Sequence, residues 1–138
     1  MKERPTHIVI AAAIAAGTGA AILAWAASAA AQDSVAGKAS FAKCQACHAV
    51  GQGAKNKLGP ELNGLAGRQA GAAPGYQYSP AFKSARFTWN QSNFADFMQN
   101  PRTKVPGNKM AFLGMKDQEE IANLWVYLQQ FNVDGNYK

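Results

Sequence analysis

The most regular hydrophobic pattern of the chain lies near its C-terminus. Apolar side chains recur there at the i, i+3, i+4 and i+7 spacing that places them on one face of a helix. These positions are Ile121, Leu124, Trp125 and Leu128. Asp117 precedes them as a candidate N-cap, and Glu119 and Glu120 follow in the first turn, where the helix dipole favours negative charge. The pattern predicts an amphipathic helix that begins after Asp117.

Small and apolar residues near position 40 predict another helix, from 35 to 47. The apolar positions are Val35, Ala36, Ala39, Ala42 and Ala46, with Phe41 between them. Since a helix with one apolar face must bury that face against another element, we expect the first and last helices to pack together.

Two further helices are predicted in the second half of the chain. Ser79 is suited to cap a short helix that has Pro80 in its first turn and reaches Ser84. Asn90 or Ser92 can cap the next helix, which continues to the following proline. Its apolar residues are Phe94, Phe97 and Met98.

The remaining segments carry no helical pattern. Residues 50–75 are rich in Gly and Pro, so we predict an irregular loop there. A loop of this length needs something to wrap around, because compact domains seldom contain so long a structureless stretch. Residues 132–138 are predicted to form a loose tail. No internal repeat and no second domain is visible in the sequence.

The N-terminal 31 residues differ in character from the rest. Residues 1–7 are polar, residues 8–31 are uncharged and mostly alanine, and the run ends in an Ala-x-Ala pattern. This order is typical of a secretory signal peptide, which we predict to be cleaved near Ala31. Retention as a membrane anchor is the alternative, because the uncharged run is long enough to span a bilayer. Either way, we expect one domain at 32–138, in the periplasm.

Residues 32–138 are basic, with twelve Lys and Arg against seven Asp and Glu, a net formal charge of +5. Such a surface favours acidic proteins, nucleic acid or anionic lipid as partners. Export and the lack of a basic run argue against nucleic acid, and we expect membrane contact only if the N-terminal segment is retained. A monomer with acidic protein partners is therefore predicted.

The candidate chemistry is concentrated in the motif Cys44-x-x-Cys47-His48. C-x-x-C-H is the attachment signature of c-type haem. Two thiols one helical turn apart can add to the two vinyl groups along one haem edge, and the next residue then lies beneath the iron. A neutral histidine nitrogen is a good axial ligand for that iron. A buried haem would also give the Gly- and Pro-rich loop something to wrap around.

Other uses of the cysteine pair have less support. A disulfide across two intervening residues closes almost no loop and would stabilise the fold little. A zinc site needs about four ligands, and the sequence adds only His48 and His7, the latter in the targeting segment. A dithiol oxidoreductase would place the pair at the start of a helix in a βαβ unit, and no strand pattern lies nearby.

Iron in an electron carrier usually has a second axial ligand, for which a methionine thioether is the natural choice here. Three methionines follow the targeting segment. Met98 falls on a predicted helix face, where packing in the core is expected. Met115 precedes a helix start and can serve either purpose. Met110 lies on a polar loop stiffened by two prolines, where a core role is harder to explain.

With these residues in hand, the sequence closely resembles the small class I cytochromes c of mitochondria and photosynthetic bacteria, from about Gly37 to Leu128. The matching motifs occur in the family's order. They are Cys44-x-x-Cys47-His48, Gly59-Pro60-x-Leu62-x-Gly64, Gly67-Arg68, Ala73-Pro74-Gly75-Tyr76-x-Tyr78, Thr88-Trp89, and Asn100-Pro101 through Pro106-Gly107-x-Lys109-Met110-x-Phe112. The resemblance implies an all-α fold, with four to five helices and long loops around one covalent haem c.

The resemblance also implies roles around the iron. Cys44 and Cys47 would attach the haem, and His48 and Met110 would be the two iron ligands. The carbonyl of Pro60 would accept a hydrogen bond from the other ring nitrogen of His48, which fixes the orientation of the imidazole.

Further implied roles lie at the rim of the haem. Tyr78 and Trp89 match positions that hydrogen-bond a haem propionate, and Arg68 matches a basic residue that offsets propionate charge. Phe112 matches an aromatic residue beside the exposed haem edge.

Three residues depart from the family's usual pattern. Asn108 replaces a frequent Thr, Phe97 replaces a frequent Tyr above the haem, and Phe82 replaces a frequent Asn. Loss of the tyrosine hydroxyl removes a hydrogen bond to the Met110 sulfur. We therefore expect a drier haem pocket.

The function implied is single-electron transport rather than enzymatic catalysis, because two axial ligands leave no open site on the iron. Acidic docking surfaces on a quinol-oxidising complex, a terminal oxidase of a respiratory chain or a photosynthetic reaction centre are the expected partners. A ring of basic residues would steer this docking. They are Lys43, Lys55, Lys57, Arg102, Lys109 and Lys116. A haem peroxidase or gas-binding sensor, in which Met110 is displaced, is the alternative.

Overall fold

Five helices lie within residues 34–138, the part of the chain that the computed structural model describes. They are α1 (34–41), α2 (Pro80–Ser84), α3 (Gln91–Gln99), α4 (Pro101–Lys104) and α5 (Gln118–Leu128). This range contains no strand, only the isolated bridges Gln69↔Thr88 and Phe131↔Tyr137. The predicted all-α fold with long loops is confirmed, whereas the predicted signal peptide at 1–31 lies outside the described residues.

Helices α1 and α5 cross in close contact, as predicted. A Cβ atom at Gly37 would lie 1.9 Å from the carbonyl oxygen of Asn123, so only glycine permits this approach. Further along α1, the ring of Phe41 packs against Tyr127 at 5.6 Å between centroids. The hydroxyl of Ser40 donates to a carboxylate oxygen of Glu120 at 3.0 Å. The crossing is therefore fixed by a missing side chain, an aromatic contact and a polar contact.

The predicted extent of the first helix, 35–47, is wrong at its C-terminal end. Regular helix stops at residue 41, and turns continue to residue 47. In these turns the N–H of Cys44 donates to the carbonyl of Phe41 at 2.8 Å, and the N–H of Cys47 donates to that of Cys44 at 3.1 Å. Ala42 and Ala46, two of the apolar positions in the pattern, are exposed. No buried face therefore continues the α-helix beyond residue 41.

Helix α5 follows the sequence prediction closely. The carboxylate of Asp117 accepts hydrogen bonds from the N–H groups of Glu119 and Glu120. The predicted face is buried, and Leu124 and Leu128 are each 1% exposed. Burying each such leucine stabilises the fold by about 1.5–3 kcal/mol. The ring of Trp125 packs against Phe94 of α3 at 5.1 Å between centroids.

Asparagine and serine side chains begin the middle helices. The hydroxyl of Ser79 caps α2, as predicted, and of the two predicted candidates for α3 it is Asn90 whose carboxamide caps the helix. The proline that follows α3 also begins a further one-turn helix, α4, which Asn100 caps. No helix within residues 34–138 is long and apolar enough to cross a membrane.

The predicted loop at 50–75 is confirmed as irregular, and a buried carboxamide organises it. Asn63 is 6% exposed, and its side chain donates to the carbonyl of Gly51 at 2.9 Å and accepts from the N–H of Gly51 at 2.8 Å. Leu65 and Ala70 of the same loop belong to the core. The loop is therefore fastened at both polar and apolar points.

The prediction of a loose C-terminal tail is wrong. The N–H of Asn132 donates to the carbonyl of Asn136 at 2.9 Å, and the N–H of Lys138 donates to that of Gln130 at 2.8 Å. A Cβ atom at Gly135 would lie 2.1 Å from the carbonyl oxygen of Gly51, so the tail packs directly on the loop that follows His48. Asparagine turns, which a hydrophobic pattern does not register, fold the tail back.

Candidate haem site

Residues 44–48 form a hydrogen-bonded turn, so the two cysteines are about one helical turn apart. The N–H of His48 donates to the carbonyl of Cys44 at 2.9 Å, which closes one helical turn. Both cysteines are free thiols of intermediate exposure. Burial raises the pKa of the Cys44 thiol. The positive charge of Lys43 lowers this pKa, but by less than burial raises it. A dithiol redox centre needs a lowered thiol pKa, so this environment argues against that use of the pair.

His48 is buried, and its ring is held by the loop opposite. The exposed fraction of this residue is 8%. Its Nδ1 lies 2.7 Å from the carbonyl oxygen of Pro60. Because that oxygen can only accept, Nδ1 carries the proton and Nε2 keeps its lone pair. Burial lowers the pKa of His48, the charges of Lys57 and Arg68 add to this, and the bond to Pro60 opposes it. The ring is therefore a neutral imidazole.

Gly59 allows the loop to lie against this ring. A Cβ atom there would be 2.4 Å from Cε1 of His48 and 2.8 Å from each ring nitrogen. The N–H of Gly59 also donates to the carbonyl of Cys47 at 2.8 Å. The sequence motif contains this glycine, but only the tertiary contact gives its purpose. Its backbone forms one wall of the histidine site.

The three methionines occupy different environments. Met98 is 4% exposed and lies in the core, as predicted, and Met115, whose role the sequence left open, is 8% exposed and also in the core. Met110 is only partly buried and packs against the edge of that core. Its N–H donates to the side-chain oxygen of Asn108 at 3.0 Å. Met110 is therefore the least buried of these three methionines.

Aromatic rings form a continuous series of contacts that runs out from the core. Phe97 packs edge-on against Trp89 at 5.3 Å and against Phe82 at 5.6 Å between centroids. Phe82 in turn lies 5.6 Å from the ring of Tyr78. Phe82 and Phe97, two of the three departures from the family's usual pattern, are thus in direct contact. Replacing two polar side chains by touching rings makes this wall apolar.

Tyr78 keeps a polar function at the rim of the aromatic set. Its hydroxyl oxygen accepts a hydrogen bond from the N–H of Ala73 at 3.3 Å. Burial raises the pKa of Tyr78, and the Ala73 bond and the charge of Arg68 oppose this only in part. The hydroxyl therefore retains its proton as a donor.

Arg68 has a partner that sequence reasoning missed. Its Nη1 lies 3.0 Å from a carboxylate oxygen of Glu61, and both side chains are largely buried, at 13% and 16% exposed. The guanidinium also donates to the carbonyls of Asn63 and Glu61. Glu61 stands seven positions before Arg68, at the unspecified position of the Gly59-Pro60-x-Leu62 motif. The family motif therefore did not single it out.

The donor atoms present fit a haem c. Within residues 34–138, the Nε of Arg68 is a buried donor without a hydrogen-bond partner, as expected if an anionic propionate accepts from it. The other groups that a haem c needs are also present. They are two thiols one turn apart, a neutral imidazole with a free Nε2, and a thioether at the core edge. No group of three His, Cys, Asp or Glu in that range could hold a bare metal ion.

Comparisons with known proteins agree with this arrangement. The sequence profile of the family described as cytochrome c matches residues 34–132. Cytochrome c-550 of Bradyrhizobium diazoefficiens is 55% identical over 103 residues, which are 75% of this chain and 76% of that protein. Cytochrome c2 of Rhodoplanes tepidamans is 50% identical over 107 residues, which are 78% of this chain and all of that protein.

A solved structure is similar as well. Cytochrome cH from Methylobacterium extorquens superimposes with a TM-score of 0.67 at 38% identity, covering 71% of this chain and 98% of that one. The profile match, the relatives, the fold and the Cys44-x-x-Cys47-His48 turn all lead to one assignment. The chain belongs to the cytochrome c family, as a small class I cytochrome c with one covalently bound haem c.

Proposed function

We propose that this electron carrier holds its haem iron between Nε2 of His48 and the thioether sulfur of Met110, with Cys44 and Cys47 as the covalent attachment points. The observation that carries the proposal is the 2.7 Å contact between Nδ1 of His48 and the carbonyl of Pro60. That contact fixes a buried neutral imidazole and leaves Nε2 as its only free ligand atom.

When bound, haem c supplies a one-electron ferric–ferrous couple, and the protein tunes its potential through ligands, hydrogen bonds and burial. The partner-free Nε of Arg68 and the hydroxyl of Tyr78 would donate to propionate oxygens. Trp89, 8% exposed beside Phe97, would add its indole N–H. Phe112, partly buried beside Met110, would shield the haem edge.

With His48 and Met110 both bound to the iron, no site would remain on it for a substrate. This supports a carrier rather than an enzyme. A haem peroxidase or gas-binding sensor would need Met110 to leave the iron readily, and the hydrogen bond from its N–H to Asn108 opposes such a movement.

The basic residues expected to steer docking are all exposed: Lys43, Lys55, Lys57, Arg102, Lys109 and Lys116. Within residues 34–138 only Lys43 of this set forms an ion pair, with Glu120 on α5. The other five charges are available to an acidic partner surface, so association should be fast and sensitive to salt. We propose a quinol-oxidising complex, a terminal oxidase or a photosynthetic reaction centre as that partner.

Transport between such complexes fits an exported protein. We propose that residues 1–31 are a signal peptide and that 32–138 act in the periplasm as a monomer. Mass spectrometry of the exported protein tests this directly: the expected mass is that of a chain beginning near Gln32 with one haem added. A mass that includes residues 1–31 would favour a retained anchor.

Replacement of Met110 by Ala tests the ligand assignment. We expect the ferric protein to lose the near-infrared charge-transfer band of thioether-ligated iron and the midpoint potential to fall, because a thioether ligand raises it. Met115→Leu is the matched control, since it changes a core methionine for a residue of similar volume. An unaltered spectrum and potential in Met110→Ala would exclude Met110 as the ligand.

A further inference from the structure

The side chain of Asn108 makes three hydrogen bonds within the segment that carries Met110. Its Nδ2 donates to the carbonyl oxygens of Pro101 and Val105, each at 2.8 Å. Its Oδ1 accepts from the N–H of Met110 at 3.0 Å. One planar amide thus connects the carbonyl of the first residue of α4 and that of its C-cap, Val105, to the backbone of Met110.

The two residues that anchor this amide are themselves fixed. Pro101 is among the most deeply buried side chains of residues 34–138, and Val105 is 4% exposed. The backbone N–H of Asn108 also donates to the carbonyl of Val105 at 3.1 Å, so main chain and side chain share one acceptor. The amide is therefore held by buried groups and cannot drift without breaking several bonds.

The chain after Met110 is anchored separately. A Cβ atom at Gly114 would lie 2.1 Å from the carbonyl oxygen of Gln99, and the N–H of Met115 donates to the carbonyl of Met98 at 2.7 Å. Met110 therefore lies between two attachment points on α3 and α4. Asn108 is the polar attachment on its N-terminal side.

We propose that Asn108 is a positioning residue that holds the thioether of Met110 at the iron and resists its displacement by other ligands. This inference rests on the proposed ligation by Met110. A side-chain amide is suited to the task because it donates twice and accepts once, whereas a hydroxyl has one proton to donate. Fixing the Met110 backbone before the iron–sulfur bond forms reduces the entropy lost on forming it.

Imidazole competition measures this effect on the ferric holoprotein. Added imidazole binds only when the thioether leaves, so its apparent affinity reports how firmly the loop holds the sulfur. We expect Asn108→Ala to bind imidazole about tenfold more tightly than the unmodified protein, which corresponds to about 1.4 kcal/mol. Asn108→Ser, whose hydroxyl can still accept from the N–H of Met110, should fall between the two.

Asn132→Ala is the matched control. The side chain of Asn132 also accepts backbone N–H bonds, from Asp134 and Asn136, but it lies in the C-terminal tail. Its removal should lower the free energy of unfolding without changing the imidazole affinity. Equal imidazole affinities for the unmodified protein, Asn108→Ser and Asn108→Ala would overturn the inference, as would an equal gain in Asn132→Ala.

The proposed function fails by a different result. If the unmodified ferric protein lacks the thioether–iron charge-transfer band, Met110 is not the ligand, and no competition is needed to show it. If the band is present but the imidazole affinity does not rise from the unmodified protein through Asn108→Ser to Asn108→Ala, the proposed role of Asn108 is wrong. The assignment of Met110 as the ligand then still stands. Should Asn108→Ala not yield a folded holoprotein, the comparison with Asn108→Ser decides.

Discussion

The two segments that carry the proposed iron ligands, His48 and Met110, are stabilised in different ways. The imidazole side, residues 44–60, is held by backbone atoms: the carbonyl of Pro60 accepts from His48, and Gly59 lies against the ring. The thioether side, residues 100–115, is held by the side chain of Asn108 and by contacts with α3. His48 is 8% exposed, whereas Met110 lies half-buried at the core edge.

This difference indicates which side tolerates change. A wall of backbone atoms fits only if no side chain intervenes, so the imidazole side depends on a missing Cβ. A loop held by one side-chain amide loses bonds gradually as that amide is altered. Gly114 on the thioether side also fits only without a Cβ, so the contrast concerns the groups beside the two proposed ligands. We therefore expect a side chain added at Gly59 to prevent assembly and changes at Asn108 to tune it.

The largest effect is expected for Gly59→Ala. The new methyl group would overlap the His48 ring at 2.4 Å, and the neighbouring backbone, bonded to Cys47, cannot retreat. Overpacking of this kind costs about 3 kcal/mol, and the displaced ring should also lower haem incorporation. Chemical denaturation and the ratio of haem to protein measure both losses.

Gly107→Ala is the control from the thioether side. Its Cβ atom would approach only Ala81, at 3.5 Å, but its φ of 85° is unfavourable for alanine. The expected cost is the backbone strain alone, about 1–2 kcal/mol, with haem content preserved. A milder loss for Gly59→Ala than for Gly107→Ala would reverse the comparison.

A middle effect is expected from deleting residues 133–138. The tail packs Gly135 on Gly51 and bonds back to Asn132 and Gln130, so it supports the loop after His48 and has no counterpart on the thioether side. Loss of these bonds should lower the free energy of unfolding by about 1–2 kcal/mol. Hydrogen exchange should accelerate in residues 50–64.

Residues 100–115 provide the internal control for the deletion. Their exchange should change only as far as global stability does, because the described tail contacts lie on the other side. Equal acceleration in both segments would mean that the tail stabilises the whole fold rather than the imidazole side.

The smallest effect is expected for Glu61→Gln. The carboxylate pairs with the largely buried Arg68 at 3.0 Å, beside the proposed propionate site. Removing this negative charge should favour the ferrous state, which carries one positive charge less, and raise the midpoint potential by the equivalent of about 1 kcal/mol. Glutamine can still accept from Arg68, so the guanidinium should stay in place.

Redox titration measures this shift in midpoint potential. Asp134→Asn is the matched control, because it also removes one negative charge, but from the exposed tail. We expect little change in the control at physiological salt, because a solvated charge is screened. If both variants shift the midpoint equally, the Glu61–Arg68 pair has no particular influence on the haem.

Short-range features were predictable from the sequence. The caps at Ser79, Asn90 and Asp117 and the apolar face of α5 follow from local backbone chemistry and helical spacing, and the structure confirms them. The haem attachment turn was equally visible, because its chemistry needs residues that are adjacent in the chain. The sequence pattern predicted that α1 continues to residue 47, whereas the helix ends at residue 41. Alanines at a helical spacing do not reveal whether they are buried.

What the sequence determined by itself is the chemistry: the thiol pair, the histidine, the candidate methionines and the helices that carry them. Only the tertiary structure decided how these are held. Gly59 against the His48 ring and the folded tail on Gly51 join segments that are distant in the chain, and Glu61 beside Arg68 and the amide of Asn108 close irregular loops that carry no periodic pattern. A pattern along the chain records composition and periodicity, whereas such contacts depend on how distant backbones approach each other.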